Sequence, residues 1–154
     1  MRIVALEEHF TVPGIIAGIS REAIARRGFA GRVSVIARDM FQEPFPTGCD
    51  VHLFSNVLHD WDERVVKRLL KKSFDSLLPG GMIVIHDMHI NADKTGPLPV
   101  AAYSALLMNI TEGKCYSTAE MKAYLGAAGF RDAAYFPTAA DRSVMTARRR
   151  GSAD

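Results

Sequence analysis

Asp62–Asp87, DERVVKRLLKKSFDSLLPGGMIVIHD, carries two hydrophobic periods in succession, and the change between them decides the fold. In its first part Val65, Val66, Leu69, Leu70, Phe74, Leu77 and Leu78 recur at helical spacing. Arg64, Lys67, Arg68, Lys71 and Lys72 fall between them. That spacing puts one apolar stripe on a helix over Asp62–Leu78. Pro79-Gly80-Gly81 then breaks the pattern. Met82–Asp87 is nearly all apolar, as a parallel strand buried on both faces would be.

The same alternation extends outward. Asp50–Ser55 reads as the preceding strand, and Arg32–Ala37 (RVSVIA) alternates as a strand does. Arg2–Leu6 is a short apolar run of strand character. Between them, Pro13–Arg27 reads as a helix, with Pro13 suited to its first turn and Gly28 to its end. Phe41–Gly48 is a proline-rich loop. Downstream, Asn91–Pro99 is a polar loop and Val100–Ile110 a helix with apolar residues on several sides. Ser117 with Glu120 three residues on makes a capping box for a helix ending at Gly129. Arg131–Pro137 and Arg142–Arg148 are strands around a turn at Ala139–Asp141. Their connection is too short for a parallel crossover, so they pair antiparallel. The expectation is an α/β fold whose mainly parallel sheet is mixed at one edge. Leu53, Phe54, Val57, Leu69, Leu70, Leu77, Ile83, Val84 and Ile85 are its expected core.

Composition narrows the function. At 154 residues the chain has the length of one domain, and 48% hydrophobic residues suffice for a core, which argues against disorder. A net charge of +2 argues against a strongly electrostatic nucleic-acid binder. No apolar run reaches the roughly 20 residues that span a bilayer, so no membrane partner is expected. Glu7 and Glu8 interrupt the region where a signal peptide has its apolar stretch. Cys49 and Cys115 form no CxxC pair, which fits a reduced, cytoplasmic setting.

Ligands in open α/β sheets bind outside the carboxyl ends of the strands. The residues there are Arg38-Asp39-Met40-Phe41, Ser55-Asn56-Val57-Leu58-His59-Asp60-Trp61 and His86-Asp87-Met88. An acidic residue after a strand accepts hydrogen bonds from a ribose or an amine, Met40 can cover a flat ring, and His59 can be a base. The structural alternatives are that Asp39 caps a turn and that His59 sits at a helix start. His86 and His89 flank Asp87, but His86 alternates with Asp87 along a strand, so no metal is expected there.

These segments also carry a resemblance. Gly31–Glu63, GRVSVIARDMFQEPFPTGCDVHLFSNVLHDWDE, then LLPGGMIVIHDM and AAGF, resemble S-adenosylmethionine-dependent O-methyltransferases of the plant caffeate and bacterial polyketide type. The likeness covers Val12 to Arg148, and LHDW at this spacing between DMF and PGG is its most specific part. It implies a Rossmann-like seven-stranded sheet with an antiparallel last pair. It further implies S-adenosyl-L-methionine as cofactor and a small aromatic or polyketide-like hydroxyl compound as partner. Asp39, Met40 and Ser55 would lie at the adenine end of the methyl donor. His59 would be the general base and Asp87 a carboxylate that orients it. Ser55 stands where plant members often have a lysine, and Cys115 where many have a second glutamate.

The resemblance is incomplete. Family members are about twice as long and carry an upstream dimerisation and lid domain and a glycine-rich loop. A homodimer would therefore be weakened. Thr11 in Thr11-Val12-Pro13 aligns with an acidic residue that binds ribose. Residues 13–148 thus read as an incomplete, Rossmann-like catalytic domain, 1–12 as an atypical strand segment at the edge where the family's second strand lies, and 149–154 as a disordered tail. The alternative is a non-catalytic remnant. A second likeness joins it: MRIVALEEHFTVP resembles the opening of amidohydrolase-related decarboxylases, where an E-x-H pair, here Glu7 and His9, binds metal. A metal-dependent hydrolase is the second alternative, although 154 residues do not make that family's barrel.

Overall fold

The computed structural model describes residues 1–7, 21–34, 36 and 39–151. Its sheet comprises β1 (Ile3–Glu7), β2 (Cys49–Ser55), β3 (Leu77–Asp87), β4 (Arg131–Pro137) and β5 (Ser143–Arg148). Their order is β1-β2-β3-β5-β4. The first three are parallel, and β5 runs antiparallel to both β3 and β4. The helices are α1 (Arg21–Arg26), α2 (Glu63–Ser76), α3 (Leu98–Ile110) and α4 (Thr118–Ala128). None is long and apolar enough to cross a membrane. The expected helix over Pro13–Arg27 lies outside the described residues up to Ser20, and its end is α1.

The stripe read from the sequence builds the core. Asp62 caps α2, its Oδ1 accepting the Val65 N–H at 2.7 Å. Val66, Leu69 and Leu70 are fully buried in one cluster with Phe54, Ile83 and Ile85. The capping box at Ser117 and Glu120 starts α4, and Gly129 ends it at φ 110°. A side chain there would also collide with the Phe74 ring.

Four expectations need correction. First, the described residues of Arg32–Ala37, 32–34 and 36, lie in no strand: Arg32 and Val33 donate their N–H groups to the Phe29 carbonyl, closing a turn, and Val33 and Ile36 are exposed. Alternation makes a strand only where an edge is available to pair with. Second, Pro79-Gly80-Gly81 does not separate helix from strand. β3 already begins at Leu77, which pairs with Cys49, and Gly80 at φ 80° lies where the register shifts. Third, Arg149 is not frayed. It exchanges backbone hydrogen bonds with Gly80 and Gly81, and its guanidinium donates to the Phe74, Asp75 and Leu77 carbonyls at the end of α2. Fourth, β3 is not buried on both faces. Ile83, Ile85 and Asp87 are buried while Met82, Val84 and His86 are half-buried, and Leu53 is half-buried too. The packed face is the one covered by α2 and α4.

The position of β1 matters for the site. It pairs with β2 from Ile3↔Val51 to Glu7↔Ser55. Counting back from the antiparallel last pair of a seven-stranded sheet, β2 is the fourth strand. In doubly wound order its neighbour is the first strand, the one that leads into the glycine-rich turn. In the seven-stranded sheet that the resemblance implies, β1 would therefore hold the first strand's place rather than that of the second.

His52, in the middle of β2, makes the fold sensitive to acid. It is fully buried, with Nδ1 2.9 Å from Ser73 Oγ. Burial lowers its pKa to about 4, and the Pro46 carbonyl, which accepts from the protonated ring, offsets this only in part. The unfolded histidine takes a proton near pH 6.5. Stability is therefore full above that value and falls as pH drops from 6.5 to about 4. The expected loss is roughly 3 kcal/mol, and His89, also lowered by burial, adds in the same direction. Urea unfolding at pH 7.5 and 4.5 measures it, and a flat profile would show that His52 titrates normally.

Candidate active site

β2 ends at Ser55, and Asn56 takes a left-handed conformation, φ 54°, donating its N–H to the His86 carbonyl on β3. Asparagine tolerates this region better than most residues. The chain then enters a single 3-10 turn, Leu58–Asp60, anchored by the buried Val57 and Leu58. This turn carries His59 over the end of β3. His59 Nδ1 lies 2.5 Å from Asp87 Oδ1, and both residues are buried. Asp87 Oδ1 also accepts the Met88 N–H at 2.8 Å, which fixes the carboxylate. Asp60 Oδ1 lies 3.5 Å from the other ring nitrogen, Nε2. The Tyr103 ring of α3 meets the imidazole edge-on, with centroids 5.7 Å apart.

Two opposing effects act on His59. Burial lowers its pKa, while the Asp87 hydrogen bond and the charges of Asp87 and Asp60 raise it. The second group wins, and the pKa ends above the usual histidine value. Asp60 is raised, chiefly by burial. Cys115 is buried, and burial followed by the Asp87 charge pushes its thiol up to about 12. A neutral thiol thus occupies the position where the resemblance puts a second glutamate.

The turn owes its place to a glycine. A Cβ on Gly113 would lie 2.2 Å from the His59 carbonyl oxygen and 2.6 Å from the Trp61 nitrogen. Both are backbone atoms, so relief requires moving the turn. Gly113→Ala is expected to destabilise the protein by about 1–3 kcal/mol and to loosen the His59–Asp87 pair. Thermal unfolding, with the imidazole resonances of His59 as a second readout, checks this. An unchanged midpoint and unchanged resonances would mean that the loop does not press on the turn.

The remaining expected residues are placed less closely. Asp39 is exposed, and its Oδ1 accepts the N–H groups of Phe41 (2.7 Å) and Gln42 (3.1 Å), so it does cap its own turn. Met40 is half-buried against the core, and its carbonyl accepts from Lys72 Nζ. Phe41 stacks edge-on against Trp61, which ties this loop to the His59 turn. Ser55 Oγ lies 3.3 Å from His86 Nδ1, away from the His59–Asp87 contact. His9 lies outside the described residues. Among the described residues no group of three His, Cys, Asp or Glu could hold a metal ion. The residues that sequence patterns did not single out are Asp60, Tyr103, Gly113 and Arg142. Asp60 lay within the LHDW motif, whereas the other three are brought in by tertiary folding.

Comparison with known proteins follows this geometry. The family described as O-methyltransferase domain matches residues 8–131. The 3-hydroxy-5-methyl-1-naphthoate 3-O-methyltransferase of Streptomyces sahachiroi is 36% identical over 114 residues, covering 74% of this chain and 33% of that protein. The O-methyltransferase family 2 protein of Planctomyces limnophilus, solved in complex with apigenin, is 37% identical with a TM-score of 0.79. That match covers 84% of this chain and 38% of the other. Human N-acetylserotonin methyltransferase, solved in complex with SAM, is 31% identical with a TM-score of 0.70, over 73% of this chain and 32% of its own. The chain thus spans about a third of the length of these relatives.

Proposed function

Because the chain belongs to the O-methyltransferase domain family, we propose that it is the base-bearing part of an S-adenosylmethionine-dependent O-methyltransferase. The acceptor is a hydroxyl on a small aromatic or polyketide-like compound, as the naphthoate and apigenin of its relatives suggest, and the setting is cytoplasmic. The observation that carries this is the buried His59–Asp87 pair at the carboxyl ends of β2 and β3. His59 Nε2 takes the proton as the hydroxyl oxygen attacks, and Asp87 holds Nδ1. The bound donor would supply a methyl group on a sulfonium. A phenol has a pKa of about 10 and histidine about 6.5, so full proton transfer beforehand would cost roughly 5 kcal/mol. Transfer during attack avoids most of that, and the raised pKa of His59 narrows the gap further.

The donor's neighbours fit at one end. Met40 offers an apolar side chain, Ser55 a hydroxyl, and Asp39 a carboxylate of which Oδ1 is engaged by backbone. The other end fits less well. β1 would hold the first strand's place, yet Glu7–Gly14 (EEHFTVPG) carries a single glycine, at its end, where a glycine-rich turn has several. That observation favours a second reading, in which this chain alone does not hold the donor. With Thr11 also standing where a ribose-binding acid would be, the two losses amount to some 3–6 kcal/mol, or about 10²–10⁴-fold in affinity. Calorimetric titration with S-adenosylhomocysteine tests this, and micromolar binding by the chain would refute the weak-donor expectation. Transfer of labelled methyl to a hydroxyarene panel tests the activity. Its absence, both here and when an N-terminal half from a relative is supplied, would leave the remnant reading.

A further inference from the structure

Arg142 is half-buried and immediately precedes β5, whose first residue lies opposite Asp87. Its successor Ser143 is the register partner of Asp87 and hydrogen-bonds the Asp87 carbonyl. From this position the Arg142 charge bears on His59, Tyr103 and Cys115. The guanidinium is aimed by two devices. Its Nη1 donates to Asn56 Oδ1, from the residue that turns the chain out of β2. Its backbone closes the β4–β5 turn, with Arg142 N donating to the Ala139 carbonyl. The central residues of that turn, Ala140 and Asp141, are both left-handed at φ 56° and 59°. Alanine is strained there, and such strain gathers at functional sites.

Among the described residues no carboxylate lies within salt-bridge distance of Arg142, and the Asn56 amide oxygen is its side-chain partner. Asp87 and Asp60 face the two ring nitrogens of His59 instead. A guanidinium has five N–H donors in a planar fork suited to a carboxylate. Resting on the methyltransferase reading of this site, we propose that Arg142, held by Asn56, is the subsite for a carboxylate carried by the acceptor. The substrate class is then a hydroxyarene carboxylic acid, with its hydroxyl at His59 and its carboxylate on Arg142. The donor also has a carboxylate, at its amino-acid end. Arg142 is held by Asn56 and adjoins the register partner of Asp87, and its charge bears on His59, beside which an acceptor hydroxyl would sit; this favours the acceptor.

The test is equilibrium binding to the chain, which needs neither donor nor turnover. The probes are 3-hydroxy-2-naphthoic acid and its methyl ester, with S-adenosylhomocysteine titrated separately. The acid is expected to bind about 10–100-fold more tightly than the ester. Arg142→Met should abolish that preference, and Arg142→Lys should keep part of it. Circular dichroism monitors folding, and the acid–ester comparison in the unaltered chain stands without any variant. Equal binding of acid and ester, binding of neither, or a preference that survives Arg142→Met overturns the proposal. So does a loss confined to S-adenosylhomocysteine, which would assign Arg142 to the donor. A failed methyl-transfer assay beside a retained acid preference would count against the activity and leave the subsite standing.

Discussion

His59→Asn is expected to lower methyl transfer by about 10²–10⁴-fold, the usual worth of a general base, with the fold intact. Asparagine caps helices well, so a purely structural role for His59 at the start of α2 would survive the change. A base would not, because an amide takes no proton near neutrality. The structure sharpens the contrast: Asp62, not His59, caps α2, and His59 directs Nδ1 to Asp87. The assay uses a joined protein, with Val12–Arg148 placed behind the N-terminal half of a relative. S-adenosylhomocysteine affinity of that joined protein should be nearly unchanged, since a general base would face the acceptor and not the donor. Turnover retained with donor binding intact would remove His59 from the mechanism and leave positioning alone to account for catalysis.

What was legible in the sequence divides along a physical line. The α2 stripe, the Ser117 capping box and the short β4–β5 connection are local rules, and each produced its element. The meeting of His59 and Asp87 was legible because Asp87 ends β3 and His59 lies in the turn after β2, and adjacent parallel strands bring such ends to one rim. The failures came where local pattern met competition. RVSVIA has strand alternation, but its first N–H groups bond back to Phe29. Pro79-Gly80-Gly81 has every mark of a break, yet Arg149, far along the chain, supplies hydrogen bonds that carry β3 through it. Tyr103, Gly113 and Arg142 belong to three separate segments whose convergence on His59 no periodicity records. Gly113 shows why: its role is the space that it leaves for the backbone of another turn.

Asp87→Asn is expected to lower turnover in the joined protein by about 10²–10⁴-fold and also to change its pH dependence. Asp87 accepts from Nδ1 and thereby leaves Nε2 of the neutral ring without its proton, ready to take one. An asparagine can present its NH₂ group to Nδ1 instead, which puts the proton on Nε2 and disables the base. The charge matters separately. Burial alone would lower His59, and the Asp87 hydrogen bond and charge are the main effects that raise it. A base works when neutral, so turnover of the unaltered protein should rise with pH through that raised pKa. In the asparagine variant the rise should come at lower pH, while the plateau stays depressed. Stability follows the opposite sign. A histidine raised in the folded state contributes stability that is present below about pH 6.5 and lost as pH rises through its folded pKa. The variant should lack that contribution. A fall in turnover with an unmoved acidic limb would show that Asp87 orients the ring without setting its charge. The double change with His59→Asn decides whether the two act as one unit: if they do, it should be no worse than His59→Asn alone.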